Sequence, residues 1–150
     1  MKDEKFATDV QDVIDARKKQ PNRLNAMLDL HLEDCSRAEK YIEYMFNVKE
    51  WCLNPYDGVH GGIICSVLDT AMGVGVVAIT QEFTSTADMA VSFLAPMRGD
   101  RYRIRCDFTQ IGHRMVRVIS KAIDAETDTL CATGMASFVL TETKEKGLQD

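Results

Sequence analysis

At 150 residues, 45% hydrophobic and 27% charged, the chain is long enough to bury one core without disulfides or a structural metal, and its composition argues against a disordered or membrane protein. The net charge of -5 argues against nonspecific binding to nucleic acid or to an anionic membrane, since that affinity comes from cationic side chains meeting phosphates. Five scattered cysteines (Cys35, Cys52, Cys65, Cys106, Cys131), none in a Cys-x-x-Cys pair, suggest neither a disulfide framework nor a zinc ribbon.

Residues 1–20 are rich in charge and lack the basic start, apolar middle and small-residue cleavage site of a secretory signal, which predicts a cytoplasmic protein. Phe6, Val10, Val13 and Ile14, then Leu24, Met27, Leu28 and Leu30, predict two short helices between residues 3 and 33, broken at Gln20-Pro21 because the residue before proline disfavours helix. His31-Leu32-Glu33-Asp34-Cys35 holds metal-ligand residue types without a ligand spacing and reads as a solvated helix end. From Lys40 the pattern alternates, with Ile42, Tyr44, Phe46 and Val48 on one side, predicting a half-buried strand that ends near Trp51.

Asn54-Pro55-Tyr56-Asp57-Gly58 is turn chemistry, and the run from Gly61 to Thr80 is apolar nearly all round. Its length approaches a membrane span, but Asp69 near the middle would be costly in lipid, so a buried central helix is the better reading. Four alternating runs follow: Ala87 to Phe93, Tyr102 to Phe108, Val116 to Ala122 and Leu130 to Leu140. Joined by short polar connections, they predict an antiparallel meander. Asp124, Glu126 and Asp128 lack the glycine and the bidentate Glu of a calcium loop and read as a hairpin turn. The whole predicts an α+β domain in which a curved sheet wraps a helix.

Asp69 is the chemical anomaly, because an unpaired charge on an apolar helix costs several kcal/mol or raises its own pKa. It either caps a strand or pairs with an arginine, or it is catalytic. Upstream, Gly58-Val59-His60-Gly61-Gly62 sets two glycines at the helix start, where free N–H groups and the helix dipole favour negative charge and no side chain blocks a carbonyl. A plain turn into a helix would carry the same glycines. Asp69 lies eight residues beyond Gly61, ~12 Å along a helix. One carbonyl cannot touch both within a single chain. If both serve one reaction, the carboxylate comes from a second subunit, and a two-fold dimer holds two equivalent sites.

The ungapped string NPYDGVHGGIICSVLDTAMG, Asn54 to Gly73, resembles the helix motif of the hotdog acyl-CoA thioesterases of the phenylacetate-degradation (PaaI-like) type: Asn54, then His60-Gly61-Gly62 six positions on, then Asp69 eight after Gly61. The resemblance continues into STADMAVSFLAPMRGD, where Thr86 holds the place of the family's small hydroxyl residue, often Ser, two before Asp88-Met89. It extends to about Leu140; His-Gly-Gly alone is a weak signal, the combined spacing a specific one. The resemblance implies a hotdog fold, an antiparallel sheet wrapped around a long central helix, with residues 1–35 as an N-terminal helical extension and 36–150 as the thioesterase domain. It implies hydrolysis of acyl-CoA to free acid and CoA without a cofactor or metal. In that chemistry the Gly61 N–H polarises the thioester carbonyl, and His60 and Asn54 orient the helix start and the sulfur side. The partner's Asp69 is nucleophile or general base, and Thr86 holds the water or Asp69 itself. Gly62 and Asp88 join the substrate-binding set, and a homodimer or a dimer of dimers (a homotetramer) is expected.

From Arg98 to Lys121 seven basic residues (Arg98, Arg101, Arg103, Arg105, Arg114, Arg117, Lys121) stand against Asp100 and Asp107, a local +5. Coenzyme A carries a 3'-phosphate and a pyrophosphate, and Arg98, His113 and Arg114 are the expected counterparts; alternating Arg101, Arg103 and Arg105 read as a solvated strand face. Two other functions fit the same domain: a noncatalytic acyl-CoA or lipid-binding protein in which Asp69 is structural, and an acyl-thioester dehydratase in which His60 moves protons. The spacing of Gly61, Asp69 and Thr86 favours hydrolysis.

Overall fold

The computed structural model describes residues 3–144. Helices α1 (Glu4–Lys18) and α2 (Leu24–Leu28) precede strands β1 (His31–Ser36) and β2 (Tyr41–Asn47). A 3-10 turn (Glu50–Cys52) leads into the long helix α3 (Gly61–Thr80), followed by β3 (Glu82–Phe93), β4 (Arg101–Ile111), β5 (Met115–Asp124) and β6 (Leu130–Lys144). The strands form one antiparallel sheet in the order β1-β2-β4-β5-β6-β3, curled around α3 in a hotdog fold.

α3 spans the residues that its apolar run predicts, and eleven of its 20 residues are buried, so the hydrophobicity serves a core helix. His60 caps its start and Gln81 ends it in the left-handed region (φ 59°). Strand alternation delivers the other half of the core: Ile42, Tyr44 and Phe46 of β2, Tyr102, Ile104, Cys106 and Phe108 of β4, and Val116, Val118 and Ala122 of β5 are all buried. Helix and sheet meet closely at Gly75, where a Cβ would overlap the Phe108 ring and stand 3.0 Å from Ile42 Cδ1.

α1 buries Phe6, Val10, Val13 and Ile14, the face its spacing predicts, and packs on α3 and β1. Arg37, in the β1–β2 turn, ties the layers together. It pairs with Asp9 of α1 at 3.3 Å, lies 4.7 Å from the centre of the Phe6 ring, and donates to the Ala78 and Ile79 carbonyls near the end of α3.

Three expectations need correction. His31–Ser36 is a strand paired with β2, not the end of a helix; with only Cys35 buried and a register shift between Leu32 and Asp34, it shows no alternation to read. The boundary expected after residue 35 therefore falls inside a strand of the sheet. β2 stops at Asn47, short of Trp51, because the chain turns into Glu50–Cys52. The last four strands are not a simple meander: β4, β5 and β6 are, but β3 pairs with β6 at the far edge, so residues 94–100 cross from that edge to β4. Alternation identifies a strand but not its neighbour; α3 occupies the concave face and sets β3 down beyond β6.

Candidate functional site

The turn before α3 is built by Asn54. Its Oδ1 accepts from the Tyr56 N–H at 2.8 Å and the Gly58 N–H at 3.2 Å, and its own N–H donates to the Gly58 carbonyl at 2.7 Å. The carbonyl end of this side chain is spent on the loop, leaving its NH2 as the donor end. At the helix start the Gly62 N–H donates to His60 Nδ1 at 3.0 Å. In that bond His60 Nδ1 is the acceptor, a capping role. Gly61 is the first residue of α3, so its N–H has no carbonyl four residues back within the helix to donate to. A Cβ at Gly61 would lie 3.5 Å from Phe93 Cζ, so any longer side chain there would crowd the same space.

Gly61 opens into a cleft of about 430 Å³ that Asn54, Tyr56, Gly58, Phe93, Met97 and Arg98 also line. Two turns along the helix, Asp69 lines a second cleft, of about 130 Å³, with Thr70, Gly73, Thr84, Thr86 and Phe138. Asp69 is half-buried, not enclosed as its place in an apolar run suggests, because this flank of α3 faces β3 at the sheet edge. The Thr86 hydroxyl donates to Asp69 Oδ1 at 2.6 Å.

β3 is shaped for both clefts. Its register with β6 shifts between Thr86 and Asp88, so Ala87 is an extra residue and the side facing α3 changes parity. Before the shift Thr86 reaches Asp69; after it Met89 and Val91 pack on the core and Phe93 reaches Gly61. Asp88 lies exposed, opposite Ser137, to which Arg117 donates at 3.1 Å.

The structure brings Gly61, Asn54, His60, Gly62 and Arg98 to one end of α3, and Asp69 with Thr86 to its flank. It does not bring Arg98 together with His113 and Arg114 in one chain. Arg98 precedes β4, whereas His113 and Arg114 follow it, at the end of the sheet where the Leu140 N–H donates to the Arg114 carbonyl at 2.8 Å. Leu140 is the β6 partner of Thr84, so that hairpin lies at the Asp69 end. Of the strand arginines, Arg103 pairs with Asp128 at 2.8 Å, and Arg105 with Asp107 at 3.0 Å and Glu43 at 3.4 Å. Sequence reasoning missed Phe93 against Gly61, and Arg17 and Asn25, which line the Asp69 cleft from the N-terminal leader; no local pattern marks either.

Comparison with known proteins agrees with this fold. The sequence profile described as the thioesterase superfamily matches residues 56–131, which include the whole of α3. A protein of Halobacterium salinarum to which an esterase activity is ascribed is 31% identical over 125 residues, covering 77% of this chain and 82% of its own length. Among solved structures, a thioesterase family protein of Silicibacter pomeroyi superimposes with a TM-score of 0.75 at 21% identity, over 89% of this chain and 96% of its own. The PaaI protein of the E. coli phenylacetic acid degradation operon does so at 0.74 and 16% identity, over 90% and 97%. A Streptococcus mutans protein, solved bound to acetyl-CoA, reaches 0.70 at 16% identity, over 78% and 92%. The chain belongs to the thioesterase superfamily, has the hotdog fold and is a thioester hydrolase.

Proposed function

We infer that the substrate is an acyl-CoA thioester and that each active site is shared between two chains. The observation that carries this reading is the separation of the Gly61 amide and the Asp69 carboxylate, which open into different clefts of one chain although hydrolysis by these two groups requires both at one carbonyl. The sheet edge supplies the joint. β3 is twelve residues long, lies at the edge, and ends on Phe93, which with the following Leu94 has more than half of its surface exposed. An uncovered edge of that length is a template for another strand. A two-fold axis near the middle of β3 sets the Phe93 end of one chain beside the Thr86 end of the other, and with them the two catalytic groups.

In such a dimer the partner's Gly61 N–H stabilises the developing oxyanion while Asp69 either attacks the carbonyl carbon or takes a proton from water. Thr86 fixes the carboxylate through its hydrogen bond. The same two-fold sets the partner's Arg98 at the end of the sheet where His113 and Arg114 lie, and these cations serve the CoA phosphates.

The test is Asp69→Asn. The amide keeps the shape of the side chain and loses both nucleophile and base, so release of free CoA from acyl-CoA should fall by at least about a thousandfold in a folded protein. Hydrolysis at the wild-type rate would remove Asp69 from the mechanism.

A further inference from the structure

Resting on that hydrolytic reading, we propose that Gly73 is a specificity-determining residue: the acyl chain runs through the gap that its missing side chain leaves beside Asp69. α3 carries two glycines in its interior, Gly73 and Gly75. Glycine inside a helix is less favourable than alanine, so each needs a reason. Gly75 has one in packing, because a Cβ there would overlap the Phe108 ring. Gly73 does not. Among the described residues, the nearest heavy atom that a Cβ would meet there is Phe138 Cε1 at 3.5 Å, an ordinary van der Waals contact.

Exposure sets Gly73 apart as well. From Ala71 to Ala78 every other residue of α3 is buried, whereas Gly73 opens on the Asp69 cleft. It follows Asp69 by one turn on the same helix face, and Val77, one turn further, lines the same cleft. A helical Cβ tilts toward the N-terminus, so a side chain at this position would lie back over the turn that carries Asp69 and Thr70. Glycine therefore keeps open the passage from the carboxylate to the apolar part of the cleft, which Val74, Val77 and Phe138 form. With the thioester carbonyl at Asp69 and CoA held by Arg98, His113 and Arg114, the acyl chain is the part of the substrate left to enter that passage. An apolar cavity of roughly 150 Å³ accepts benzene, so the cleft's volume of about 130 Å³ suits an acyl chain of at most about six carbons.

Non-hydrolysable thioether analogues of acetyl-CoA and hexanoyl-CoA, with a methylene between sulfur and carbonyl, separate this inference from turnover. By calorimetry the wild-type protein should bind the hexanoyl analogue at least about tenfold more tightly than the acetyl one. In Gly73→Ala and Gly73→Val that preference should fall by about tenfold or more. The denaturant midpoint of Gly73→Ala should stay at or above the wild-type value, since alanine is the better helix former and meets no clash. If Gly73→Val does not fold, the alanine variant decides alone. No preference in the wild type, or an undiminished one in folded Gly73→Ala, overturns the inference. A lowered midpoint or a changed oligomeric state in Gly73→Ala also overturns it, by giving the glycine to packing within or between chains. Release of free CoA from the true thioesters is read separately. A wild type that hydrolyses neither thioester, yet shows the preference and loses it in Gly73→Ala, keeps the inference and loses the proposed function. Hydrolysis of both with the same kcat/KM ratio in wild type and Gly73→Ala does the reverse.

Discussion

At the scale of single residues, the hydrogen bond from Thr86 to Asp69 ties the candidate acid to the sheet. A hydrogen bond to a charged group contributes roughly 1.5–3 kcal/mol. Thr86→Val, which keeps the shape and deletes the donor, should therefore lower kcat by about ten- to a hundredfold, and Thr86→Ser should restore most of it. A Val variant with the wild-type kcat would reduce Thr86 to a packing residue. Asp69 and Gly61 were legible in the sequence because each violates its surroundings: a charge in an apolar run, and a paired glycine where a helix begins. Arg17 and Asn25 were not legible, since a polar residue at the end of a surface helix looks alike whether it faces water or a cleft. Asp69 itself is less buried than its neighbours in the sequence implied, because periodicity reports which residues are apolar and not which flank of the helix the sheet leaves uncovered.

At the scale of elements, α3 was readable to its ends because capping, composition and length agreed, whereas β3 was readable only as a strand. Its pairing with β6 and its bulge at Ala87 depend on where the helix sets the chain down, which no local pattern encodes. β1 failed for a different reason, carrying one buried side chain where a strand normally alternates. The contact between α3 and the sheet gives a stability test. Gly75→Ala places a methyl group against Phe108 and Ile42, neither of which has room to retreat in a packed core. Overpacking of this kind costs about 1–3 kcal/mol, so the denaturant midpoint should drop while the unfolding slope is kept. The propensity gain of alanine over glycine, up to about 1 kcal/mol, works against this. An unchanged or raised midpoint would mean that Phe108 rotates away and that the close approach is not what glycine serves there.

At the scale of the whole molecule, the proposed dimer rests on the length of a helix. Eight residues of α3 separate the amide from the carboxylate, ~12 Å that no single carbonyl can bridge, and the two groups open into separate clefts. A site divided this way is testable by complementation. Gly61→Val fills the space beside Phe93 and should abolish activity through the oxyanion end, while Asp69→Asn abolishes it through the other. Unfolded together in equal amounts and refolded, the two inactive chains give about half mixed dimers if pairing is random. In each mixed dimer one site holds both defects and the other holds neither, so activity should return to about a quarter of that of the wild type. A shared site predicts that return from two dead proteins; a site confined to one chain predicts none at any mixing ratio. No recovery in samples that mass spectrometry shows to contain mixed dimers would therefore place both groups in one chain's site and remove β3 as the joint.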